Sequence, residues 1–180
     1  GIVVLFWFFS LSSATHADQT PVASFVIGPS SMVMGVGGNM TLSPLLDVDS
    51  SGPTIQTTVS VNSVAWSSNN PGVASVSNGR ITALQNGSAV ISGVHAGITK
   101  TIQLEVTGTE SVKNFSYSSV IHSYIAFTPS NYIPGSPKDV VLVFHPENGT
   151  AETAEFVTQM NAVAEANGFI AVYPEDIDDV

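Results

Sequence analysis

The sequence predicts an all-β sandwich over residues 22–107, followed by an incomplete α/β segment over residues 117–180. Short apolar stretches separated by turn residues fill the first range, which is typical of antiparallel sheets. The second range contains two apolar runs, 140–144 and 169–173, on either side of a helical pattern. Between the two ranges, the polar sequence GTESVKNFS at residues 108–116 predicts an interdomain linker.

The charge and the cysteine content exclude several classes of protein. The chain has a formal net charge of −10, with four Lys and Arg residues in total and none before Arg80. Binding to nucleic acid or to an anionic membrane surface is therefore not expected. The chain has no cysteine and so no disulfide, which favours a bacterial exported protein over a small eukaryotic secreted domain.

The first 17 residues, GIVVLFWFFSLSSATHA, predict part of a signal peptide. Their apolar block, 2–11, is too short to span a bilayer, and small residues surround a plausible cleavage point at 15–17. The expected mature protein begins near Asp18, has no membrane span and is secreted or held at a bacterial cell surface. A buried strand or a short anchor remains the alternative for the apolar block.

Seven short strands are predicted in the first range. Asn78-Gly79 is a strong hairpin signal between two of them, and Ile102, Leu104 and Val106 alternate with polar residues in the last. Such a series predicts a β-sandwich of immunoglobulin type, with Trp66 in the core between the sheets instead of serving as a ligand platform. The predicted strands are 23–27, 40–42, 63–67, 73–76, 80–83, 88–94 and 102–106.

The motif VAWSSNNPGVASVSNGRITAL at residues 64–84, followed by NGSAVISG at 86–93, supports a narrower interpretation. With these residues the chain resembles the bacterial immunoglobulin-like domain of group 2, over about residues 22–107. Members of that family serve as spacers or adhesive modules in surface proteins and secreted enzymes. The resemblance implies a carbohydrate or a cell surface as a possible partner, and no catalysis.

The second range predicts a strand, a loop, a helix and a second strand. The run 140–144 is rich in β-branched residues and suits a strand of a parallel sheet that is buried on both faces. Asn167-Gly168 supplies the end of the helix, before the strand 169–173. The residues with helical spacing are Phe156, Val157, Met160, Val163 and Ala164.

Three features of this segment resemble a secreted α/β-hydrolase esterase of the polyhydroxybutyrate depolymerase and feruloyl esterase group. They are the apolar strand that ends at His145, the sequence MNAVAEANGF at 160–169 and the strand end VYPE at 172–175. The resemblance covers about residues 117–180. It implies hydrolysis of carboxylic esters through an acyl-serine intermediate, without cofactor or metal, on polyhydroxyalkanoate or on feruloyl and acetyl esters of plant walls.

The same resemblance implies an oxyanion loop at His145, Glu147 and Asn148. Two positions depart from the family pattern: Pro146 replaces a glycine and has no N–H, and the Glu147 carboxylate is expected near developing negative charge. The 180 residues contain no G-x-S-x-G motif. No catalytic residue is therefore assigned within this chain, and the nucleophile and its triad partners are expected beyond it.

Other polar residues have ordinary structural explanations. His95 and His122 are expected at the surface, and no histidine pair has the spacing of a zinc site. Four carboxylates, Glu175, Asp176, Asp178 and Asp179, are expected in a solvated loop instead of a calcium site. The alternative function is a cell-surface spacer or adhesin built on the first range, without catalysis. The coding sequence beyond Val180 would distinguish the two hypotheses.

Overall fold

The structure is a computed structural model and describes residues 22–49 and 55–175. The predicted signal peptide, the expected mature N-terminus near Asp18 and the last acidic residues, Asp176, Asp178 and Asp179, lie outside the described residues. In the described ranges, no helix is long and apolar enough to cross a membrane.

The described residues are mostly β-sheet. The helices are α1, Ala151–Thr158, and α2, Met160–Asn167, and a single 3-10 turn lies at Val61–Ser63. The strands are β1, Val22–Val26; β2, Ser31–Val36; β3, Asn39–Thr41; β4, Leu45–Asp49; β5, Ile55–Thr58; β6, Ala65–Ser68; β7, Ala74–Ser77; β8, Arg80–Ala83; β9, Gly87–His95; β10, Ile98–Tyr117; β11, Val120–Thr128; β12, Val140–Leu142; and β13, Ile170–Pro174.

The strands of the described residues form three sheets. Two are small, with the orders β1-β4-β5 and β3-β8-β7. The largest has the order β12-β13-β11-β10-β9-β6, and β2 pairs in parallel with β10. The predicted hairpin is confirmed: β7 and β8 pair antiparallel, and Asn78 and Gly79 both have positive φ, as a two-residue hairpin loop requires. The arrangement is compatible with a β-sandwich.

One hydrophobic cluster, which we call the N-terminal core, lies between these strands. Its buried residues are Phe25, Ile27, Met32, Met34, Met40, Leu42, Val59, Val64, Val73, Ala74, Ile81, Ala83, Ala89, Ile91, Ile102, Leu104 and Val106. The alternation predicted in β10 is confirmed, because Ile102, Leu104 and Val106 are buried while the residues between them are exposed. Trp66 is half-buried at the margin of this core, where its Nε1 donates to the Val61 carbonyl oxygen at 3.0 Å. The strands β2, β4 and β5 were not predicted, since neither a clear alternation nor a hairpin signal marks them.

Residues 108–116 do not form a linker in the structure. They are the second half of β10, and they pair antiparallel with β11 from Thr109, opposite Thr128, to Tyr117, opposite Val120. The polar composition that predicted a linker belongs to a largely exposed two-stranded ribbon, whose backbone groups bond across the strands. Strand β10 therefore runs from the N-terminal core into the part of the sheet that carries β11, β13 and β12.

The strand-helix-strand unit predicted in the second range is confirmed. Strand β12 pairs in parallel with β13, and β13 pairs antiparallel with β11. The helices α1 and α2 separate β12 from β13 in sequence, and Gly168, with φ of 74°, ends α2 as predicted. A second cluster, the C-terminal core, is built from Phe127, Val143, Ala151, Ala154, Ala164, Ala171 and Tyr173.

Two details of this unit differ from the prediction. The expected single helix is broken at Gln159, whose left-handed backbone (φ of 51°) ends α1 and begins α2. Strand β12 and the residues after it are covered on one face only: Val143 is buried, whereas Val140, Leu142 and Phe144 are exposed. An apolar run alone does not tell whether the second face of a strand has a covering layer.

We predict that Ile102→Ala lowers the free energy of unfolding by about 2–5 kcal/mol, because the substitution leaves a cavity in the N-terminal core. Ile121→Ala is the matched control, since it removes the same atoms from a side chain that is 72% exposed instead of 0%. Its expected effect is within about 0.5 kcal/mol. Urea unfolding of the two variants measures both values, and equal losses would contradict the described position of β10.

Candidate functional site

The predicted oxyanion loop follows β12 and contains a β-turn. The Gly149 N–H donates to the Pro146 carbonyl oxygen at 2.9 Å, and Asn148 has φ of 60°. Glu147 and Asn148 are the two central residues of this turn. The turn hydrogen bond uses neither of their N–H groups, and among the described residues neither N–H has a hydrogen-bond partner.

The side chains of the loop differ in their exposure to solvent. Glu147 and Asn148 are exposed, so the Glu147 carboxylate lies in solvent. His145 is half-buried, and its Nδ1 lies 2.8 Å from the Pro146 carbonyl oxygen. The His145 ring thus holds the shape of its own loop.

The loop ends at the start of α1, which two groups cap. The Thr150 hydroxyl accepts a hydrogen bond from the Thr153 N–H at 3.1 Å. The Ala151 N–H donates to Glu175 Oε2 at 3.0 Å, and the Glu175 N–H donates to the Ser123 carbonyl oxygen. Glu175 is therefore not part of a freely solvated acidic loop, because it ties the end of β13 to the start of α1.

A small cavity adjoins the loop, and a larger cavity lies apart from it. A cavity of about 280 Å³ adjoins the loop end and is lined by Thr150, Ala151 and Glu175, among others. A larger cavity, of about 500 Å³, lies between β2, β9, β10 and the start of α2, and none of its lining residues belongs to the predicted loop.

The other histidines are more enclosed than the sequence suggested. His95 is half-buried, with its Nδ1 3.1 Å from the Ser63 carbonyl oxygen. His122 is half-buried and stacks on Phe115, with ring centroids 4.9 Å apart. Across the described ranges, no group of three or more His, Cys, Asp and Glu residues could hold a metal ion.

A buried polar cluster, which sequence reasoning missed, lies between the helices and the largest sheet. It consists of Glu110 on β10, Glu155 on α1, Asn161 on α2 and Tyr173 on β13, and we call it the carboxyl cluster. Each of the four residues is at most 6% exposed. Two carboxyl groups at such depth are unusual, because burial strongly disfavours their charged forms.

Asn161 occupies the centre of the carboxyl cluster. Its Oδ1 accepts a hydrogen bond from the Tyr173 hydroxyl at 2.8 Å, which fixes the amide so that Nδ2 faces the carboxyl groups. Nδ2 then donates to Glu155 Oε1 at 2.7 Å and lies 3.4 Å from Glu110 Oε2. The Gly35 N–H also donates to Glu110 Oε2, at 3.2 Å. Among the described residues, Glu155 Oε2 has no hydrogen-bond partner.

Burial raises the pKa of both carboxyl groups above the ordinary 4.5. For Glu155 the negative charge of Glu110 raises the pKa further, whereas for Glu110 hydrogen bonds from Glu155, Gly35 and Asn161 oppose the effect of burial on its pKa. Burial also raises the pKa of Tyr173, so its hydroxyl stays protonated and remains a donor. Of the two carboxyl groups, Glu155 is therefore the more readily protonated.

Glycines in and after β2 make room for Glu110. A Cβ atom on Gly35 would lie 2.5 Å from the Thr109 carbonyl carbon, and one on Gly38 would overlap the Glu110 carboxyl group. Gly37 has φ of 94° and passes close to the Glu110 carbonyl oxygen. The sequence suggested only a flexible turn here, but the glycines are required by the close approach of β2 to β10.

The alternation in β10 carried a signal for this cluster. Continued beyond Val106, it places Gly108 and then Glu110 on the buried face, and both are buried. Glu155 likewise follows Ala151 and Ala154 at helical spacing on the buried face of α1. Because residues 108–116 were predicted to be a linker, the alternation in β10 was not followed beyond Val106.

Comparison with protein-family models and with curated proteins finds no match for this chain. We therefore infer a function from the geometry described above and from the residue patterns.

We predict that Gly35→Ala destabilises the protein by about 1–3 kcal/mol, because the new methyl group would press on the β10 backbone. Gly72→Ala is the matched control: its Cβ would have only the Asn70 side chain nearby, at 3.8 Å, and its φ is not positive. The expected change there is within about 1 kcal/mol and can be a gain. Thermal unfolding of both variants tests the prediction, which fails if Gly35→Ala is as stable as the control.

Proposed function

We propose that this chain is the N-terminal part of a secreted carboxylic-ester hydrolase, with an immunoglobulin-like module ahead of the opening of an α/β-hydrolase domain. The observation that carries the proposal is the loop between β12 and α1, where the N–H groups of Glu147 and Asn148 have no hydrogen-bond partner among the described residues. The apolar run 140–144 ahead of His145 and the sequence VYPE at the end of β13 support the same family.

The position of the loop in the topology agrees with this proposal. Hydrolases of this class take one oxyanion N–H from the connection between their third strand and first helix. In the second part of this chain the distal half of β10, β11 and β12 are three successive strands, and α1 is the first helix. The loop also follows the carboxyl end of β12, the edge at which α/β sheets bind ligands.

The chemistry assigned to these residues is charge stabilisation. When a serine attacks an ester carbonyl, its oxygen becomes an oxyanion, which backbone N–H groups at about 2.7–3.1 Å stabilise. Glu147 and Asn148 would supply such groups, and Pro146 would supply none. The exposed Glu147 carboxylate is free to point away from the oxyanion. The serine, the histidine base and its acid partner would come from residues after Val180.

The substrate would be a polymeric or plant-wall ester, of the polyhydroxyalkanoate or of the feruloyl and acetyl type. The immunoglobulin-like module would hold the enzyme at a carbohydrate or a cell surface, outside a bacterial cell. The motif from Val64 to Leu84 supports the module, as does the packing of its strands around one core. This part of the proposal rests on the residue resemblance.

One observation favours a second candidate, a spacer or adhesin without catalysis. All fully buried residues of the N-terminal core lie between Phe25 and Val106, and from the second part of the chain Phe156 packs against its edge. A module of this kind could serve a surface protein whatever follows it. A coding sequence without G-x-S-x-G after residue 180 would favour this candidate.

We predict that the 180-residue chain does not hydrolyse p-nitrophenyl butyrate, whereas the chain extended by its downstream coding sequence does. Turnover by the extended chain should be blocked by a serine-directed sulfonyl fluoride and lost when the serine of its G-x-S-x-G is replaced by alanine. Inhibitor-sensitive turnover by the 180-residue chain would contradict the proposal. So would an inactive but folded extended chain.

Two substitutions in the extended chain test the loop. Glu147→Pro removes the N–H and should lower kcat by about 10²–10³, the usual loss for one oxyanion donor. Glu147→Gln keeps the N–H and removes only the charge, so we expect a change of less than about threefold, because this side chain is exposed. Equal kcat values for the two variants would show that the Glu147 N–H is not part of the oxyanion hole.

A further inference from the structure

We infer that the carboxyl cluster is a proton-dependent latch, which holds the helices α1 and α2 on strands β2 and β10. Its members come from both sides of the interface between these helices and strands, which we call the seam. Glu110 and the Gly35 N–H belong to the strands, and Glu155 and Asn161 belong to the helices. While the carboxyl pair holds at least one proton, the helices stay packed on the strands, and when both groups are ionised this contact opens. This inference does not depend on the proposed ester hydrolysis.

Other contacts across the seam show what the latch holds in place. Asn161 Nδ2 lies 3.4 Å from the Val33 carbonyl oxygen on β2, and the Thr41 N–H donates to a Glu152 carboxylate oxygen on α1. Phe156 on α1 packs against the N-terminal core, while Val33 packs against the C-terminal core. Opening of the seam would uncover apolar side chains of both cores.

The charged and titratable groups around the pair do not neutralise it. Glu152 on α1 adds negative charge, and Tyr173 on β13 donates to Asn161 instead of to a carboxyl group. Arg80 on β8 lines a cavity of about 110 Å³ together with Glu110 and Glu152, but its hydrogen bond goes to the Thr41 hydroxyl. On α2, Glu165 faces Ser130 and Thr107.

A proton is thus the group that neutralises the pair in the described part of the chain, where neither carboxyl group has a hydrogen bond from Lys or Arg. Asn161 offers one amide nitrogen to both groups, and Glu155 Oε2 has no donor among the described residues. Two ionised carboxylates would therefore repel one another at a site with too few donors, which is costly in a buried environment.

The direction of the pH dependence follows from the raised pKa values. In the open or unfolded chain the carboxyl groups lose their protons near 4.5, whereas the closed seam retains a proton to higher pH. Between these limits the closed state binds more protons, so it weakens as pH rises. The latch is at full strength below about pH 4.5 and is released as pH rises through the pKa of the buried pair.

Hydrogen exchange of the full chain tests the latch by comparing amide protection factors at about pH 5 and about pH 8. In the wild type we expect α1 and α2 to lose protection by about tenfold or more, while β9 keeps its protection. Glu155→Gln should keep the helices protected at both pH values. Glu105→Gln, which removes an exposed carboxylate from the same strand as Glu110, should behave as the wild type.

Several results would overturn the inference. They are equal helix protection at both pH values in the wild type, an unchanged pH effect in Glu155→Gln, and an equal loss in β9, which would indicate global destabilisation. If Glu155→Gln does not fold, carbon-13 shifts of the glutamate carboxyl groups in the wild type decide the question. A buried carboxyl group that titrates above about pH 5 supports the latch, and titration of all glutamates at ordinary values overturns it.

Discussion

Strand β10 contributes to the N-terminal core with its first half and pairs with β11 through its second half, and the rest of the structure depends on this continuity. Its first half places Ile102, Leu104 and Val106 in the N-terminal core, and its second half pairs with β11. Strand β11 in turn supports β13, and β13 supports β12. The position of the loop at His145 therefore follows, through four paired strands, from the alternation of side chains in β10.

The continuous sheet creates a seam where the helices meet β2, and polar groups fill its centre. Two buried carboxyl groups with one shared amide donor are not an efficient source of stability, because their desolvation offsets much of what the hydrogen bonds contribute. What they supply is specificity: Asn161 fits one arrangement of Glu110, Glu155 and Tyr173. The glycines of β2 belong to the same arrangement, since any larger residue at Gly35 would separate the two strands.

Local patterns in the sequence were sufficient for the elements whose partners are near in sequence. The hairpin at Asn78-Gly79 and the unit from β12 to β13 follow from residues within a short stretch, and both are present. The continuation of β10 through 108–116 was missed, because a strand of polar residues and a linker have similar composition. The carboxyl cluster was missed because Glu110 and Asn161 are 51 residues apart, and no local pattern brings them together. The break at Gln159 had no signal in the helical spacing of its neighbours.

An unbroken strand across the boundary of two parts has a mechanical consequence. A flexible linker would let the two parts of the chain tumble separately. Strand β10 instead continues through both parts, with β9 paired to one half and β11 to the other. Tension applied along β10 loads both antiparallel pairings in shear, so that many hydrogen bonds resist it together. A pull on the first part is thus transmitted to the second through the hydrogen bonds of both ladders.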